Sequence, residues 1–561
     1  MIITLISWIW IFLAMGITGF ACYLLLDRIA PIQRLRPHLI MVLGLCFLTV
    51  YAQFFSLFYK VGFVANLILL IVCALLLLFM RKPLICSLKG WIRDGTFYHL
   101  AFAMFLLLLT ALRASTEVLG DDVYLYHLQA VRWITDYGVV PGLGNLNTRF
   151  AFNNAFHSLQ ALFSFEYAPP LHYPLHNLNG FIAWILLMYA VFEMKFWKDL
   201  KFHCSDFARV ALIMLVCKNA FVYSSPSTDF FPAALVGYIF SEWISAWEEK
   251  QNTTPVYSVL SVLTVFAITL KLSTAFVCLL VLMPAIQLIR ARNVRAICLY
   301  LFSGILVLLP FLLRNIIISG WLLYPFDKID LFHFDWKMPI ATVIDESIRT
   351  TLSGRKIYNY LPSDAPFSVW FPHWVQINGK TTLVYLGADL IASMISLFLG
   401  IRKIRRENDW TYLHVTLTLE ASLLYVLLAA PDPRFCKIYM LLIPLLPFGL
   451  LLERIHWASL PLLIPVGMTI LFTLYIPYIY SFSYIEPEFY RTPSYYADFK
   501  GIPYDFEGLT MYVPETSGGY NAISWNYFPS ILYDFQLDLI ELRGENYTDG
   551  FRTKPGVEHL F

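Results

Sequence analysis

Long apolar runs separated by short polar segments dominate the chain. A helix needs about 20 apolar residues to cross a hydrocarbon core of roughly 30 Å. We therefore predict about fourteen transmembrane helices, at residues 2–26, 38–58, 61–80, 97–114, 177–194, 206–223, 229–247, 255–270, 273–289, 296–318, 382–401, 411–430, 435–452 and 458–480. This pattern predicts an all-α polytopic membrane protein.

Two long polar segments, 115–176 and 319–381, interrupt the predicted spans. Residues 1–480 are predicted to form a transmembrane domain. The tail 481–561, rich in Tyr, Pro and Gly, is predicted to form a small cap of short strands and turns. The first span lacks a basic start and a small-residue cleavage pattern, so we interpret it as a membrane anchor rather than a signal peptide.

Lys and Arg residues concentrate at five short junctions, which follow the first, third, fifth, ninth and eleventh predicted spans. If fourteen spans alternate in direction, all five junctions lie on one side, and an excess of Lys and Arg marks the cytoplasmic side. Both long segments and both termini then face outward, at the extracytoplasmic face of the cell (inner) membrane.

Composition narrows the class of protein further. The chain is 59% hydrophobic and 14% charged, which excludes a soluble enzyme and a disordered chain. A net charge of +2 gives no sign of nucleic-acid binding. None of the nine cysteines lies in the long outward segments, so these segments are predicted to fold without disulfides.

The first outward segment carries the first candidate chemistry. Asp121 and Asp122 precede an amphipathic stretch that ends near residue 137 and predicts a helix lying in the membrane interface. Two adjacent carboxylates can serve as a base on an acceptor hydroxyl, because repulsion or desolvation raises one pKa. The alternative is a helix N-cap with a solvated neighbour. His127 and Arg149 in the same segment are candidate substrate-binding residues.

Five further candidates for substrate binding come from other parts of the chain. Asp229 lies at the start of the seventh predicted span. It is either a helix cap or a substrate-binding residue. Lys271 lies at the apex of a short hairpin. Its ammonium group either takes part in substrate binding or extends outward to lipid phosphates. Arg314 lies near the outer end of the tenth span, and Asp432 and Arg434 lie in a proline-stiffened turn. Arginines at these two positions can bind a phosphate group or contact lipid headgroups.

No metal site or cofactor is predicted. Four histidines lie in the first outward segment, but their spacing matches no compact metal-ligand motif. A divalent metal is compatible with the sequence but is not indicated by it.

The candidate residues are far apart in sequence, yet the predicted topology collects them at the outer membrane face. The segments GDDVYLYHLQAVRWITDYGVVPGLGN, SSPSTDF, TLKLS, RNIIISGWLLYP and APDPRF together resemble a little-characterised bacterial group of GT-C membrane glycosyltransferases. The resemblance covers roughly residues 95–440. It implies a GT-C-like fold and inverting transfer of a sugar from a polyprenyl-phosphate donor to a glycan, lipid or protein acceptor. Asp121 or Asp122 would be the base, and cations such as Lys271 and Arg434 would meet the phosphate.

One departure from the family pattern concerns the position of the acidic loop. GT-C enzymes usually carry this loop directly after their first span, whereas here three spans precede the span 97–114.

Three other functions stay open from the residues: a flippase or transporter of lipid-linked oligosaccharide, a polysaccharide polymerase or ligase, and a scaffold. A transporter is expected to place its ionisable groups near the membrane midplane.

Overall fold

The computed structural model describes residues 1–32, 36–94, 97–118, 120, 122–168, 174–199, 201–250, 253–358, 360–362, 364–452, 499–515 and 522–560. Asp121 and the predicted span 458–480 lie outside the described residues. The helices are α1 (Ile2–Ile29), α2 (Pro37–Ser56), α3 (Phe63–Asp94), α4 (Phe97–Arg113), α5 (Leu128–Asp136), α6 (Leu143–Leu146), α7 (Ala155–Leu162), α8 (Leu178–Phe192), α9 (Phe196–Asp199), α10 (Cys204–Lys218), α11 (Phe230–Glu249), α12 (Thr254–Leu270), α13 (Leu282–Arg290), α14 (Val294–Ser319), α15 (Ile340–Gly354), α16 (Phe367–Asn378), α17 (Lys380–Glu407), α18 (Thr411–Ala429) and α19 (Pro433–Leu452).

Short turns of other helix types join several of these helices. The segment Val123–His127 is a π-helical turn that leads into α5. The 3₁₀ segments in the first 450 residues of the described chain are Thr148–Phe152, Ala220–Val222 and Leu272–Val281. The last of these is continuous with α13, and the two together form one apolar helical segment from Leu272 to Arg290.

Nine helices in the described part of the chain are long and apolar enough to cross a bilayer. They are Ile2–Ile29, Pro37–Ser56, Phe63–Ser87, Leu178–Asp199, Leu272–Arg290, Val294–Ser319, Lys380–Glu407, Thr411–Ala429 and Pro433–Leu452. The prediction of a polytopic helical membrane protein is therefore confirmed, whereas the number fourteen stays a prediction.

Four other predicted spans also coincide with helices. Of these, α4 and α12 are apolar but short, and α10 has only 15 residues. Helix α11 has 20 residues, most of them buried inside the bundle, including Glu242. A helix surrounded by protein does not need a lipid-like surface, which explains why α11 can carry buried polar groups.

The helices α1 and α2 pack with their backbones in close contact. A Cβ atom on Gly19 would lie 1.9 Å from the Ile40 carbonyl oxygen, and one on Gly44 would lie 2.0 Å from that of Met15. Small residues at such crossings let the helices approach closely, which is a common way to associate helices in membranes.

A second hydrophobic core lies beyond one end of the bundle. The tail contributes two antiparallel hairpins, β1 (Gly501–Phe506) with β2 (Leu509–Pro514) and β3 (Ile540–Leu542) with β4 (Phe551–Thr553). Their buried residues share this core with α5, α6 and the end of α14. The predicted short strands are therefore present. The assignment of the tail to a separate domain stays a prediction.

The stretch predicted as an interfacial helix, 122 to about 137, is helical but packs against protein. Val131 and Ile134 on its apolar face are buried. Trp133 contacts the rings of Phe528 and Phe551 from the tail. The sequence indicated an apolar face correctly, but it did not show that the tail would cover the aromatic side chains.

Candidate functional site

Ionisable side chains from distant parts of the chain meet where several helices end. Charged residues are costly in the apolar middle of a membrane helix and therefore concentrate at helix ends and in turns. We call this group the ion cluster, and its members in the described chain are Asp122, Arg149, Asp229, Lys271, Lys356, Asp432 and Arg434.

Arg434, in the first turn of α19, is at the centre of the ion cluster. Its Nη1 lies 3.3 Å from Oδ2 of Asp122 and 3.6 Å from Oδ2 of Asp229. Its Nε lies 3.3 Å from Oδ1 of Asp432. The side chain is half-exposed despite these three contacts. The guanidinium is therefore both paired with carboxylates and accessible to an anion from outside.

Asp122 immediately precedes the π-helical turn and is bound by two arginines. Arg149 donates through Nη1 to Oδ1 over 3.1 Å, and Arg434 donates to Oδ2. The carboxylate remains 38% exposed, so an acceptor hydroxyl could reach it. Because Asp121 lies outside the described residues, the choice between the two aspartates as a base stays open.

Asp229 precedes α11 and forms an ion pair with Lys271, which follows the last residue of α12. The Lys271 ammonium also lies 3.7 Å from the ring centroid of Phe435, a distance at which a cation is attracted to an aromatic face. The short helix α12 thus delivers Lys271 into the ion cluster rather than to the lipid surface.

The turn that carries Asp432 is held by the α15–α16 segment. Trp374 of α16 donates through its indole nitrogen to the carbonyl of Pro431 over 2.6 Å and to that of Gly354 over 3.1 Å. Lys356, just after α15, lies 2.7 Å from Oδ2 of Asp432. Burial raises the pKa of Asp432, but Arg434 and Lys356 outweigh it and hold that pKa below its ordinary value.

Two residues at this site were not found from the sequence. Lys356 has a left-handed backbone conformation with φ of +59°, which is unusual for a side chain of this kind and often marks a functional position. Glu346 in α15 accepts a hydrogen bond of 3.1 Å from Thr148. Burial raises the pKa of Glu346, with Arg149 opposing it. Both lie in the second long segment, whose amphipathic helices gave no sign of proximity to the site.

His127 lies beneath the ion cluster rather than in it. It is 3% exposed, and its Nδ1 lies 2.9 Å from Nε2 of His157. Burial lowers the pKa of His127 to about 3, and the positive charges of Lys271 and Arg149 act in the same direction. The ring is therefore neutral at ordinary pH, so it cannot act as a cation toward a phosphate.

Arg314 is not brought into the ion cluster. Its side chain is 2% exposed within α14. Its Nε donates to Oδ1 of Asn153 over 2.9 Å, and its Nη1 donates to the hydroxyl of Ser56. Arg314 is therefore buried near the end of α14 and is not in contact with the described members of the ion cluster. Its predicted role in substrate binding is not tested by this position.

The ion cluster holds four cations and three carboxylates, which leaves one excess positive charge. Such a set suits an anionic group next to a polar acceptor. Within the described residues, no group of three or more His, Cys, Asp or Glu side chains is arranged to hold a metal ion. The expected absence of a cofactor stays a prediction.

Comparisons with known proteins give a family but no activity. No curated protein and no solved structure matches the chain. Residues 1–441 match the model of a family described as a domain of unknown function (DUF8201). The match covers every member of the ion cluster and stops before the tail. The chain therefore belongs to this family of unknown function.

Proposed function

We propose that this protein is a membrane glycosyltransferase of GT-C type. It would transfer a sugar from a polyprenyl-phosphate donor to an acceptor hydroxyl at the extracytoplasmic face of the cell membrane. The observation that carries the proposal is the carboxylate of Asp122, partly exposed and bound by Arg149 and Arg434 at one end of a membrane helix bundle.

The cations of the ion cluster suit the phosphate of a lipid donor. Arg434 and Lys271 are bound by carboxylates, and an incoming phosphate would compete with those carboxylates for the same donors. A phosphate that binds Arg434 weakens the ion pair between Arg434 and Asp122. The Asp122 carboxylate then becomes a better proton acceptor when the sugar donor is bound. Donor binding and base activation would thus be linked through one guanidinium.

The acceptor hydroxyl oxygen forms a bond to the anomeric carbon on the face opposite the phosphate. The bond between that carbon and the phosphate oxygen breaks, and the electron pair leaves with polyprenyl phosphate. Asp122, or its neighbour Asp121, takes the hydroxyl proton. Attack from the opposite face inverts the anomeric configuration. The cations stabilise the charge that develops on the leaving phosphate.

The test uses purified full-length protein in lipid, offered a panel of polyprenyl-phosphate sugars with release of free polyprenyl phosphate as the readout. We compare wild type with Asp121→Asn and Asp122→Asn. Loss of a general base typically costs about 10²–10⁴ in rate, so one variant should lose release. The matched control is Asp335→Asn, an exposed carboxylate that pairs with Arg543 outside the ion cluster.

The same experiment distinguishes the competing functions. Release from a donor that carries a chain rather than one sugar indicates a polymerase or ligase. A flippase would instead move a labelled carrier lipid across the bilayer without releasing polyprenyl phosphate. No release from any donor, together with such movement, overturns the glycosyltransferase proposal.

A further inference from the structure

A small, partly enclosed cavity lies beside Arg314, and its wall contains no residue of the ion cluster. Its volume is about 20 Å³, which is enough for one particle of about the size of a water molecule. The polar part of its wall is made by Asn153, Asn154, His157 and Arg314, and the remainder is apolar or glycine. The wall therefore contains one formal positive charge and no acidic residue.

In the part of the chain that the structure describes, no acidic side chain neutralises the positive charge of Arg314. Among the described residues, no carboxylate oxygen lies within ion-pairing distance of the guanidinium, and its hydrogen bonds go to the neutral Asn153 and Ser56. Of the three other buried arginines, Arg113 donates to the Thr116 hydroxyl, whereas the other two are paired with carboxylates. Arg36 lies 2.7 Å from Glu242, and Arg209 lies 3.4 Å from Asp206.

The neutral groups around the cavity are already committed to other partners. The Asn153 amide nitrogen donates to the Phe311 carbonyl over 3.1 Å and to the Asn315 side chain over 2.8 Å. The Asn154 amide nitrogen donates to the Leu270 carbonyl. The His157 ring contacts His127 through Nε2. None of these groups supplies the negative charge that Arg314 lacks.

An unpaired guanidinium inside a helix bundle is costly, since burial of a charge is stabilised only by an opposite charge or strong hydrogen bonds. We propose that this cavity binds a single monatomic anion, chloride under physiological conditions, against the Arg314 guanidinium. A monatomic anion is the smallest anionic ligand and suits a cavity of about 20 Å³. The anion would neutralise Arg314 and tie α14 to the Thr148–Phe152 turn and to α7.

The first test measures the thermal unfolding midpoint of the purified full chain in sodium chloride and in sodium gluconate at equal ionic strength. A ligand that binds only the folded state raises this midpoint as its concentration rises. We expect a saturable rise with chloride for wild type and none for Arg314→Gln. Arg543→Gln, which removes a partly exposed arginine of the tail, should keep the rise. Equal midpoints in both salts, or an equal rise in Arg314→Gln, overturn the proposal.

A second test needs no variant and therefore does not depend on the folding of Arg314→Gln. Crystals of wild-type protein are grown in sodium bromide, and the anomalous signal of bromine is mapped. A bromine peak beside the Arg314 guanidinium supports the site. A cavity without such a peak holds only water and overturns the proposal. Neither test involves sugar transfer, so both are independent of the proposed enzymatic function.

Discussion

Arg434 lies 3.3 Å from the carboxylate of Asp122, although 312 residues separate them in the chain. Asp122 follows α4, and Arg434 lies in the first turn of α19. The contact therefore joins the first outward segment to the last described helix hairpin. The ion cluster consequently exists only in the folded bundle. The proposed base and the central cation are therefore positioned by the same packing.

Arg434→Gln tests the central cation. The change removes the side chain that, among the described residues, contacts Asp122, Asp229 and Asp432 together. Loss of a group that stabilises developing charge costs about 10²–10³ in rate, so we expect release of polyprenyl phosphate to fall by that factor. The unfolding midpoint should change less than the rate, because the guanidinium is half-exposed and the buried Asp432 keeps Lys356 as a partner.

The matched control for this variant is Arg552→Gln, which removes an exposed arginine that pairs with Glu541 of the tail. It should retain full activity. If Arg434→Gln released polyprenyl phosphate at the wild-type rate, the central guanidinium would not contribute to the reaction.

The sequence predicted much of this arrangement because membrane helices restrict where charges can lie. Asp122, Asp229, Lys271 and Arg434 each flank an apolar run, so the topology alone placed them at one end of the bundle. The burial of Arg314 outside the ion cluster was not predicted. Arg314 lies only a few residues from the end of its helix, and hydropathy does not show that the Thr148–Phe152 turn and α2 cover it.

Lys356 and Glu346 could not be predicted for a different reason. Both belong to a long segment between spans, and their positions depend on how α15 and α16 fold back on the turn before α19. Hydrophobic periodicity indicates an amphipathic helix but does not determine which neighbour it contacts. The tail posed the same difficulty, since its strands were predicted but their packing on α5 was not.

Gly354→Ala tests the support of the Asp432 turn. A Cβ atom at Gly354 would lie 2.8 Å from backbone atoms of Ala430, which must therefore move. Overpacking of this kind costs about 1–3 kcal/mol. A displacement of about 1 Å at a site can cost about 10²-fold in rate, so we expect lower activity than the stability loss alone explains.

Gly387→Ala is the control for this glycine variant, because a Cβ there meets nothing within 4 Å and the residue also lies in a helix. It should be fully active, with a stability equal to or above wild type. Equal activity of both glycine variants would show that the turn tolerates movement.

Glu242→Gln tests a buried network far from the ion cluster. The Glu242 carboxylate lies 2.7 Å from Arg36, accepts a 2.8 Å hydrogen bond from Tyr189, and lies 3.7 Å from Arg209. Removal of one partner from a buried charge network typically costs about 3–5 kcal/mol. We expect a loss of that size in the free energy of unfolding, measured in detergent.

The surface variant Glu407→Gln is the comparison, because its carboxylate is exposed and pairs only with Lys403 among the described residues. Its loss should stay below about 1 kcal/mol. Similar losses in the two variants would mean that the Glu242 network does not stabilise the bundle.

His127→Gln tests how the protein responds to acid. Burial lowers the pKa of His127 to about 3, against about 6.5 for an unfolded chain. The unfolded state therefore binds a proton between these values and the folded state does not. Stability is fully present above about pH 6.5 and falls as the pH drops toward 3, by up to about 1.4 kcal/mol per pH unit for each such histidine.

His176 behaves similarly, since burial lowers its pKa to about 3 as well, so wild type should be strongly acid-labile. In His127→Gln one titrating group is gone, and the unfolding midpoint should fall less steeply between pH 7 and pH 5. His333→Gln, at an exposed position, is the control and should follow wild type. An unchanged slope in His127→Gln would mean that this ring is already protonated, or is hydrated, in the folded protein. In that case the buried His127–His157 contact beneath the ion cluster would not be a neutral pair.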